Sequence, residues 1–148
     1  MAAVSKTRAS LRIFGDDLDP DEISALLGAP PTLSGKKGEV RVDARGVERT
    51  ARTGRWLLQV TRRQPGDLDG QLVELLSPLT PDTGVWRSLV ARFKADIFCG
   101  LFMDEGNEGL ELRPETLEMI GSRGLSLGFD IYGGPLEEEA DEPKGETN

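Results

Sequence analysis

Residues 96–133, DIFCGLFMDEGNEGLELRPETLEMIGSRGLSLGFDIYG, decide the fold that the sequence predicts. Apolar and polar side chains alternate over 95–103 and again over 125–132, which is typical of half-buried strands. A glycine-rich turn follows the first strand, and Pro114 marks a helix start, because proline suits the first helical position. The segment therefore predicts two sheet strands joined by a turn and a helix.

The rest of the chain adds further strands and helices without strict βαβ alternation. Strands are predicted over 9–14, 39–43 (a possible edge strand) and 55–61, helices over 20–27, 68–79 and 83–93, and a loop over 32–38. This order favours an α+β class, with a mixed, mostly antiparallel sheet and helices packed on one face. The alternative is a three-layer α/β sandwich.

The domain organisation follows from composition. One folded domain is expected over 8–134, after a small and polar N-terminus, 1–7, that we expect to be flexible. Residues 135–148 hold six acidic residues and one lysine, a net charge of −5 out of −8 for the chain. This segment is too polar to bury apolar surface, so we expect a disordered acidic tail.

The missing residue types exclude several chemistries. The chain has no histidine and a single cysteine, Cys99, in an apolar run where a buried role is expected. Ser-His-Asp and Cys-His catalysis, His-ligated zinc and cysteine-rich metal sites are therefore excluded. The glycine-rich turn at 104–109 offers oxygen ligands, but its spacing does not match a calcium loop and favours a structural turn. We expect neither a metal nor a cofactor.

Charge and hydropathy bound the possible partners. Arginines at 41–55 alternate with acidic residues, which favours a solvated edge over a basic stripe, so nucleic acid is not expected. No run reaches about eighteen apolar residues, so no membrane span is expected. The N-terminus has no apolar signal region, which favours a cytoplasmic protein.

The candidate site is the sheet face that helices leave free. Alternation predicts that helices pack on Leu11, Ile13, Ile97, Cys99, Leu101, Leu127, Phe129 and Ile131. The opposite face then displays five candidate binding residues: Arg12, Asp96, Phe98, Asp130 and Tyr132. An aromatic and charged mixture suits binding, because apolar area supplies affinity and polar groups fix orientation.

Two other interpretations of this face stay open. Asp96 and Asp130 could form ordinary surface ion pairs with Arg12 or a lysine, beside half-buried aromatics. They could also form a catalytic carboxylate pair, which requires a separation of about 5–10 Å.

Three stretches together resemble a known family. They are LRIFGDDLDPDEISALLGAPPT near the N-terminus, the central GRWLL, and the segment quoted first. In combination they look like the bacterial domain-of-unknown-function family 4279 over residues 8–133. The resemblance implies a small bacterial α+β domain, and it brings no assigned activity, substrate or catalytic residue. The acidic tail is not part of it.

The sequence thus favours a non-enzymatic protein-binding module over an enzyme. Its partner is expected to be a second copy, or a protein that it neutralises as an immunity-type inhibitor. Net acidity favours a basic partner. The alternative function is a small-ligand-binding protein, or an unrecognised enzyme, using the Asp96 and Asp130 face.

Overall fold

A five-stranded sheet backed by helices forms the domain in the computed structural model, which describes residues 2–134. The acidic tail predicted over 135–148 lies outside the described residues. The strands are β1 (Ala2–Ala3), β2 (Lys6–Gly15), β3 (Leu33–Gly35), β4 (Val40–Val42), β5 (Glu48–Thr50), β6 (Gly54–Gln59), β7 (Lys94–Phe102), β8 (Glu108–Gly109) and β9 (Ser126–Tyr132). The helices are α1 (Pro20–Leu27), α2 (Leu68–Leu76), α3 (Thr83–Arg92) and α4 (Pro114–Ser122).

The main sheet has the strand order β3-β6-β2-β7-β9. Its first three pairings are antiparallel, and β7 and β9 run parallel. A parallel pair needs a crossover, and α4 supplies it. Small two-stranded pairings, β1 with β8 and β4 with β5, lie outside this sheet. The predicted α+β class, with a mixed and mostly antiparallel sheet, is confirmed.

The helices pack on one face of the sheet, which we call the helical face. On it the central strands bury apolar residues that alternation assigned to the core, including Leu11, Ile13, Ile97 and Cys99, together with Trp56 of β6. Each helix approaches a different strand: α1 contacts β6, α2 contacts β2, α3 contacts β7 and α4 contacts β9. Removal of this apolar area from water is the main stabilising term of the fold.

Aspartates at three helix starts explain where those helices begin. The carboxylates of Asp19, Asp67 and Asp82 accept hydrogen bonds from backbone amides of the first turns of α1, α2 and α3. Such a cap satisfies an amide that has no partner inside the helix, and is worth about 1 kcal/mol. These are the helix starts that the sequence predicted.

A buried amide joins α2 to the sheet. Gln71 is fully buried, and its Nε2 donates to the carbonyl oxygens of Thr7 and Thr61, both at 2.9 Å. The hydroxyl of Thr7 donates to Gln71 Oε1 at 2.6 Å and accepts from the backbone N–H of Asp67 at 2.9 Å. Because a buried polar group is costly unless it is paired, this network fixes how α2 sits on β2.

The short strands differ most from the sequence prediction. β3 lies in the segment predicted as loop, and the strand predicted over 39–43 pairs with β5 in a separate hairpin instead of at the sheet edge. A strand of three residues is too short for alternation to be recognised in the sequence, so β3 is identified only by its pairing with β6. The N-terminus also differs, because β1 pairs with β8 and Val4 is buried, whereas the domain was expected to start at residue 8.

The far end of β9 is not covered as expected. Leu125 is buried, but Phe129 and Ile131 on the same face are 44% and 59% exposed. β9 is an edge strand, and burial falls along it as the chain leaves α4. The prediction that Phe129 and Ile131 belong to the core is therefore wrong, because alternation reports the face of a residue and not how far a helix extends.

Candidate functional site

The open face is the surface of the main sheet opposite the helices. Strand register brings alternate residues of β2, β7 and β9 onto it together. Arg12 lies opposite Asp96, Ser10 opposite Phe98, and Phe102 opposite Tyr132. All five candidate residues, Arg12, Asp96, Phe98, Asp130 and Tyr132, lie on this face.

Arg12 and Asp96 form a bidentate ion pair at one end of the open face. Arg12 Nε and Nη2 each donate to a different carboxylate oxygen of Asp96, both at 2.8 Å. This hydrogen bonding raises the pKa of Arg12, and the guanidinium also lies 4.6 Å from the Phe98 ring centre. The two charges compensate each other, so the Arg12 guanidinium is not free to bind an anionic ligand.

Asp130 and Tyr132 interact within β9. The phenol of Tyr132 donates to Asp130 Oδ2 at 2.6 Å, because residues two apart on a strand share a face. That hydrogen bond favours the protonated phenol and raises the pKa of Tyr132. The Tyr132 ring stacks on Phe102, with centres 4.6 Å apart and planes at 2°. The carboxylate and the aromatic pair form one preorganised unit.

The two aspartates are too far apart to act as a catalytic pair. Asp96 lies opposite Ser126, whereas Asp130 lies opposite Gly100, so the aspartates are four residues apart along the strands. At about 3.3 Å per residue this offset is about 13 Å, beyond the spacing of a glycosidase pair. Asp96 is also held by Arg12. The geometry thus argues against the carboxylate-pair interpretation.

A cleft of about 390 Å³ opens beside the aromatic stack. Its lining residues are Arg8, Ala9, Ser10, Gln59, Val60, Arg62, Phe98, Gly100, Phe102, Asp130 and Tyr132. Within residues 2–134, neither Arg8 nor Arg62 forms an ion pair. Strand register explains why Arg8 has no ion pair within these residues. Its neighbour on β7 is Gly100, whereas the neighbour of Arg12 on β7 is Asp96.

The charge of the cleft has the opposite sign to that of the chain. Arg8 and Arg62 line it against a single carboxylate, Asp130. Lys6 adds a cation beside it, with Nζ 5.7 Å from the Phe102 ring centre and Arg8 Cζ at 5.8 Å. The chain carries −8, but the surface around this cleft is cationic.

The sequence prediction missed both arginines of the cleft. Arg8 could have been found, because it precedes Arg12 by four residues and therefore shares its face of β2. Arg62 follows β6 in irregular chain, so no alternation gives its direction.

Two other candidate groups serve the structure. The Cys99 thiol is buried on the helical face, as expected, and burial raises its pKa to about 12. In the glycine-rich turn, Glu108 accepts hydrogen bonds from the backbone N–H groups of Ser5, Asp104 and Glu105. Its carboxylate therefore holds the turn against the N-terminal segment.

The arginine-rich segment forms the hairpin of β4 and β5, whose residues are mostly exposed. Asp43 accepts backbone hydrogen bonds from Arg45 and Val47 at the turn, which lowers its pKa, and it pairs with Arg49 at 3.3 Å. All residues of β5 are exposed.

Comparison with known proteins identifies the family of this chain. Among residues 2–134, no helix has the length and apolar character to cross a membrane. No curated protein and no solved structure matches the chain. The model of one family, described as domain of unknown function (DUF4279), matches residues 5–134, which include the whole main sheet and its helices. The chain therefore belongs to the DUF4279 family of domains of unknown function.

Proposed function

We propose that this domain is a non-enzymatic protein-binding module whose open face receives an acidic segment of a partner protein. One observation carries the proposal: the cleft presents Arg8 and Arg62, which have no ion-pair partner within residues 2–134, beside the stacked Phe102 and Tyr132. Cations without partners and an exposed aromatic platform together suit a ligand that supplies carboxylates.

The chemistry of the cleft fits carboxylates. A guanidinium presents a planar fork of donors that matches a carboxylate with two parallel hydrogen bonds. The guanidinium of Arg12 already binds the Asp96 carboxylate in this way. Arg8 has no such carboxylate partner within residues 2–134. Ser10 and Gln59 add polar groups, and the aromatic pair adds apolar area. An acidic segment with an apolar or aromatic neighbour would use all of these groups.

A non-enzymatic role is favoured by the state of the groups that could react. Asp96 is neutralised by Arg12, and Asp130 accepts from Tyr132. The Cys99 thiol is buried with a raised pKa, so it has little thiolate character at neutral pH. General acid or base catalysis needs a group that is free to reach the substrate, whereas these three groups are paired or buried.

The proposed partner differs in sign from the one that net charge favoured. The acidic tail contributes −5 to the chain, so the net charge describes the open face poorly. Short-range pairing is set by the cations that line the cleft, and these favour an acidic segment. That segment can belong to a second copy or to a protein that this domain neutralises. A bacterial, cytoplasmic setting is part of the same proposal, supported by the family resemblance.

Titration with hexaglutamate peptide tests the proposal. In the full chain, the double variant Arg8→Gln/Arg62→Gln should weaken binding about 10-fold, since two exposed charge pairs of about 0.7 kcal/mol each add to about 1.4 kcal/mol. The control variant Arg45→Gln/Arg87→Gln removes equal charge from exposed sites away from the cleft. Equal weakening in both variants would reduce the effect to net charge and overturn the proposal.

A second candidate function is binding of a small anionic ligand in the same cleft. The volume of about 390 Å³ favours it, because small-molecule sites span about 300–1,000 Å³. Small aromatic carboxylates should then raise the melting temperature of the wild type and not of Arg8→Gln/Arg62→Gln. If no such compound stabilises the protein, the result argues against this function. It argues equally against a small-ligand site that uses Asp96 and Asp130.

A further inference from the structure

A second cleft lies at the opposite end of β2, between the main sheet and the hairpin of β4 and β5. Its volume is about 490 Å³, and we call it the hairpin cleft. The lining residues are Phe14, Arg41, Val42, Asp43, Arg49, Thr50, Ala51, Arg52, Thr53 and Arg55. None of them lines the cleft beside the aromatic stack. Phe14 is six residues from Arg8 along β2, which is about 20 Å, so the two clefts are separate.

Strand register forms the sheet side of the hairpin cleft. Phe14 of β2 lies opposite Arg55 of β6 and opposite Lys94 of β7. These positions belong to the open face, because they alternate with the buried residues of their strands. An aromatic side chain therefore lies between two cations. Neither Arg55 nor Lys94 forms an ion pair within the residues that the structure describes.

The guanidinium of Arg41 holds the hairpin over this end of the sheet. It donates a hydrogen bond to the backbone carbonyl of Ser34 on β3. It also passes so close to β3 that a Cβ atom at Gly35 would overlap it, and Gly35 lies opposite Arg55. The side chain that ties the hairpin to β3 thus lies next to Arg55, and both line the cleft.

The lining of the hairpin cleft is cationic. Four arginines, Arg41, Arg49, Arg52 and Arg55, face one carboxylate, Asp43, which gives a net charge of +3. Asp43 is already paired with Arg49 at 3.3 Å and accepts from two backbone N–H groups of the hairpin turn. Arg52 and Arg55 have no ion pair within residues 2–134, so these two guanidinium groups can accept an anion.

Charge alternation along the chain hides this cationic surface. Glu39, Asp43 and Glu48 alternate with the arginines in sequence, which favoured a solvated edge. Of these three acids, Asp43 lines the cleft, and Glu39 and Glu48 do not. Folding thus separates charges that are neighbours in the sequence.

The charge and shape of the lining match a phosphate group better than a carboxylate. A phosphate monoester carries about −1.5 to −2 charges at pH 7 and has three acceptor oxygens. A carboxylate has one charge and two oxygens. Arginine binds phosphate with two parallel hydrogen bonds, so two arginines can use all three oxygens. Phe14, Val42 and Ala51 add apolar surface to the lining, and Val42 is 64% exposed.

We propose that the hairpin cleft binds a small phosphate monoester that carries an aromatic or apolar group. Arg52 and Arg55 bind the phosphate, Lys94 adds positive charge beside it, and Phe14 packs against the apolar group. A volume of about 490 Å³ lies within the range of small-molecule sites, about 300–1,000 Å³. The site is independent of the acidic-segment site, because the two share no residue.

Calorimetric titration of the full chain with phenyl phosphate tests the location of the site. At about 0.15 M salt, Arg52→Gln/Arg55→Gln should weaken binding about 10-fold, because both cations that bind the phosphate are lost. The matched control Arg8→Gln/Arg62→Gln removes equal charge about 20 Å away, beyond the screening length, and should change the affinity less than about 2-fold. Equal weakening in both variants, or weakening in the control alone, overturns the proposal.

Phenyl sulfate tests the chemical class of the ligand. It has the shape of phenyl phosphate with one negative charge, and it should bind about 5-fold more weakly at neutral pH. The affinity for phenyl phosphate should rise from about pH 5 to pH 7, as its second proton leaves near pH 6. The cleft keeps its charge over this range, because arginine stays charged, the pKa of Asp43 is lowered and the chain has no histidine. Equal affinities, or a flat profile for phenyl phosphate, contradict a phosphate site.

NMR observes the arginines directly in the wild type. Phenyl phosphate should shift the side-chain Nε–H signals of Arg52 and Arg55 in ¹⁵N spectra. The signal of Arg12, which is paired with Asp96, should stay in place. If phenyl phosphate does not bind, or if Arg52 and Arg55 do not shift, the hairpin site fails. The proposed acidic-segment site then still stands, because hexaglutamate binding tests it through Arg8 and Arg62.

Discussion

The two faces of β7 differ in what they expose, although they belong to one strand. Ile97, Cys99 and Leu101 point into the core and are buried, whereas Asp96 and Phe98 point to the open face and stay partly accessible. On β7 the helical face is sealed by apolar packing, and its residues contribute stability. The open face keeps polar groups near water at little cost, so it can carry charges that serve binding.

A second contrast lies within the open face. Arg12 and Arg8 occupy equivalent positions of β2, but Arg12 faces Asp96 and Arg8 faces Gly100. The residue that β7 places opposite each arginine thus determines whether that arginine forms an ion pair. The proposed binding by this face therefore depends on where a cross-strand carboxylate is missing as well as on which cations are present.

The largest expected effect is on the rate at which Cys99, on the buried side of β7, is labelled. Cys99 is the single cysteine, so a maleimide reagent reports on it alone. With a pKa of about 12 against an ordinary 9.0, its thiolate population near pH 8 falls about 1000-fold, and burial slows access further. Labelling should be negligible in the native protein and complete in denaturant. Rapid labelling without denaturant would show that the helical face opens readily.

Gly100→Asp should give Arg8 a cross-strand carboxylate, as Asp96 gives Arg12, although the new aspartate also has Asp130 as its neighbour on β9. The new carboxylate faces Arg8 across the strand pair and should weaken hexaglutamate binding about 3- to 10-fold, because it pairs with that guanidinium and adds a negative charge beside Asp130. A Cβ at this site lies 3.3 Å from the Phe102 ring, which must shift slightly. Gly100→Ala makes the same steric change without charge. If alanine weakens binding as much as aspartate does, Arg8 is not the anion-binding group.

Asp96→Ala should lower the free energy of unfolding by about 1 kcal/mol, because it leaves the partly buried Arg12 guanidinium without its partner. Arg8→Ala, which breaks no ion pair within the described residues, should change it by less than about 0.5 kcal/mol. Urea unfolding of both variants, with Arg12→Ala and the Arg12→Ala/Asp96→Ala double variant, gives the coupling energy. A coupling near zero would remove the distinction between the two arginines.

The smallest effect concerns Tyr132, the single tyrosine, whose ionisation is followed by ultraviolet absorbance. Its pKa should lie above the ordinary value of 10.0, and Asp130→Asn should lower it. Since the folded pKa is raised, the hydrogen bond contributes stability below pH 10, and this contribution is lost as the pH rises through the folded pKa. An unchanged titration in Asp130→Asn would mean that the hydrogen bond does not persist in solution.

The sequence predicted the parts of this molecule that repeat a pattern over many residues. Long alternation in β2 and β7 correctly gave both faces, and so placed Arg12 and Asp96 on one side. It could not recognise β3, which has three residues, or give a direction to Arg62 outside a strand. It also placed Phe129 in the core, because periodicity holds no information on where a neighbouring helix stops.

Gln71 has a consequence for binding, although it lies beneath the sheet. Its amide donates hydrogen bonds to the carbonyl oxygens of Thr7 and Thr61. Thr7 lies between Lys6 and Arg8, and Thr61 is next to Arg62. One buried side chain thus sets the separation of the two chain segments that carry the cations. A ligand that bridges them meets backbone that is already ordered and loses less conformational entropy on binding. A substitution at Gln71 is therefore expected to weaken the proposed binding, although Gln71 is fully buried.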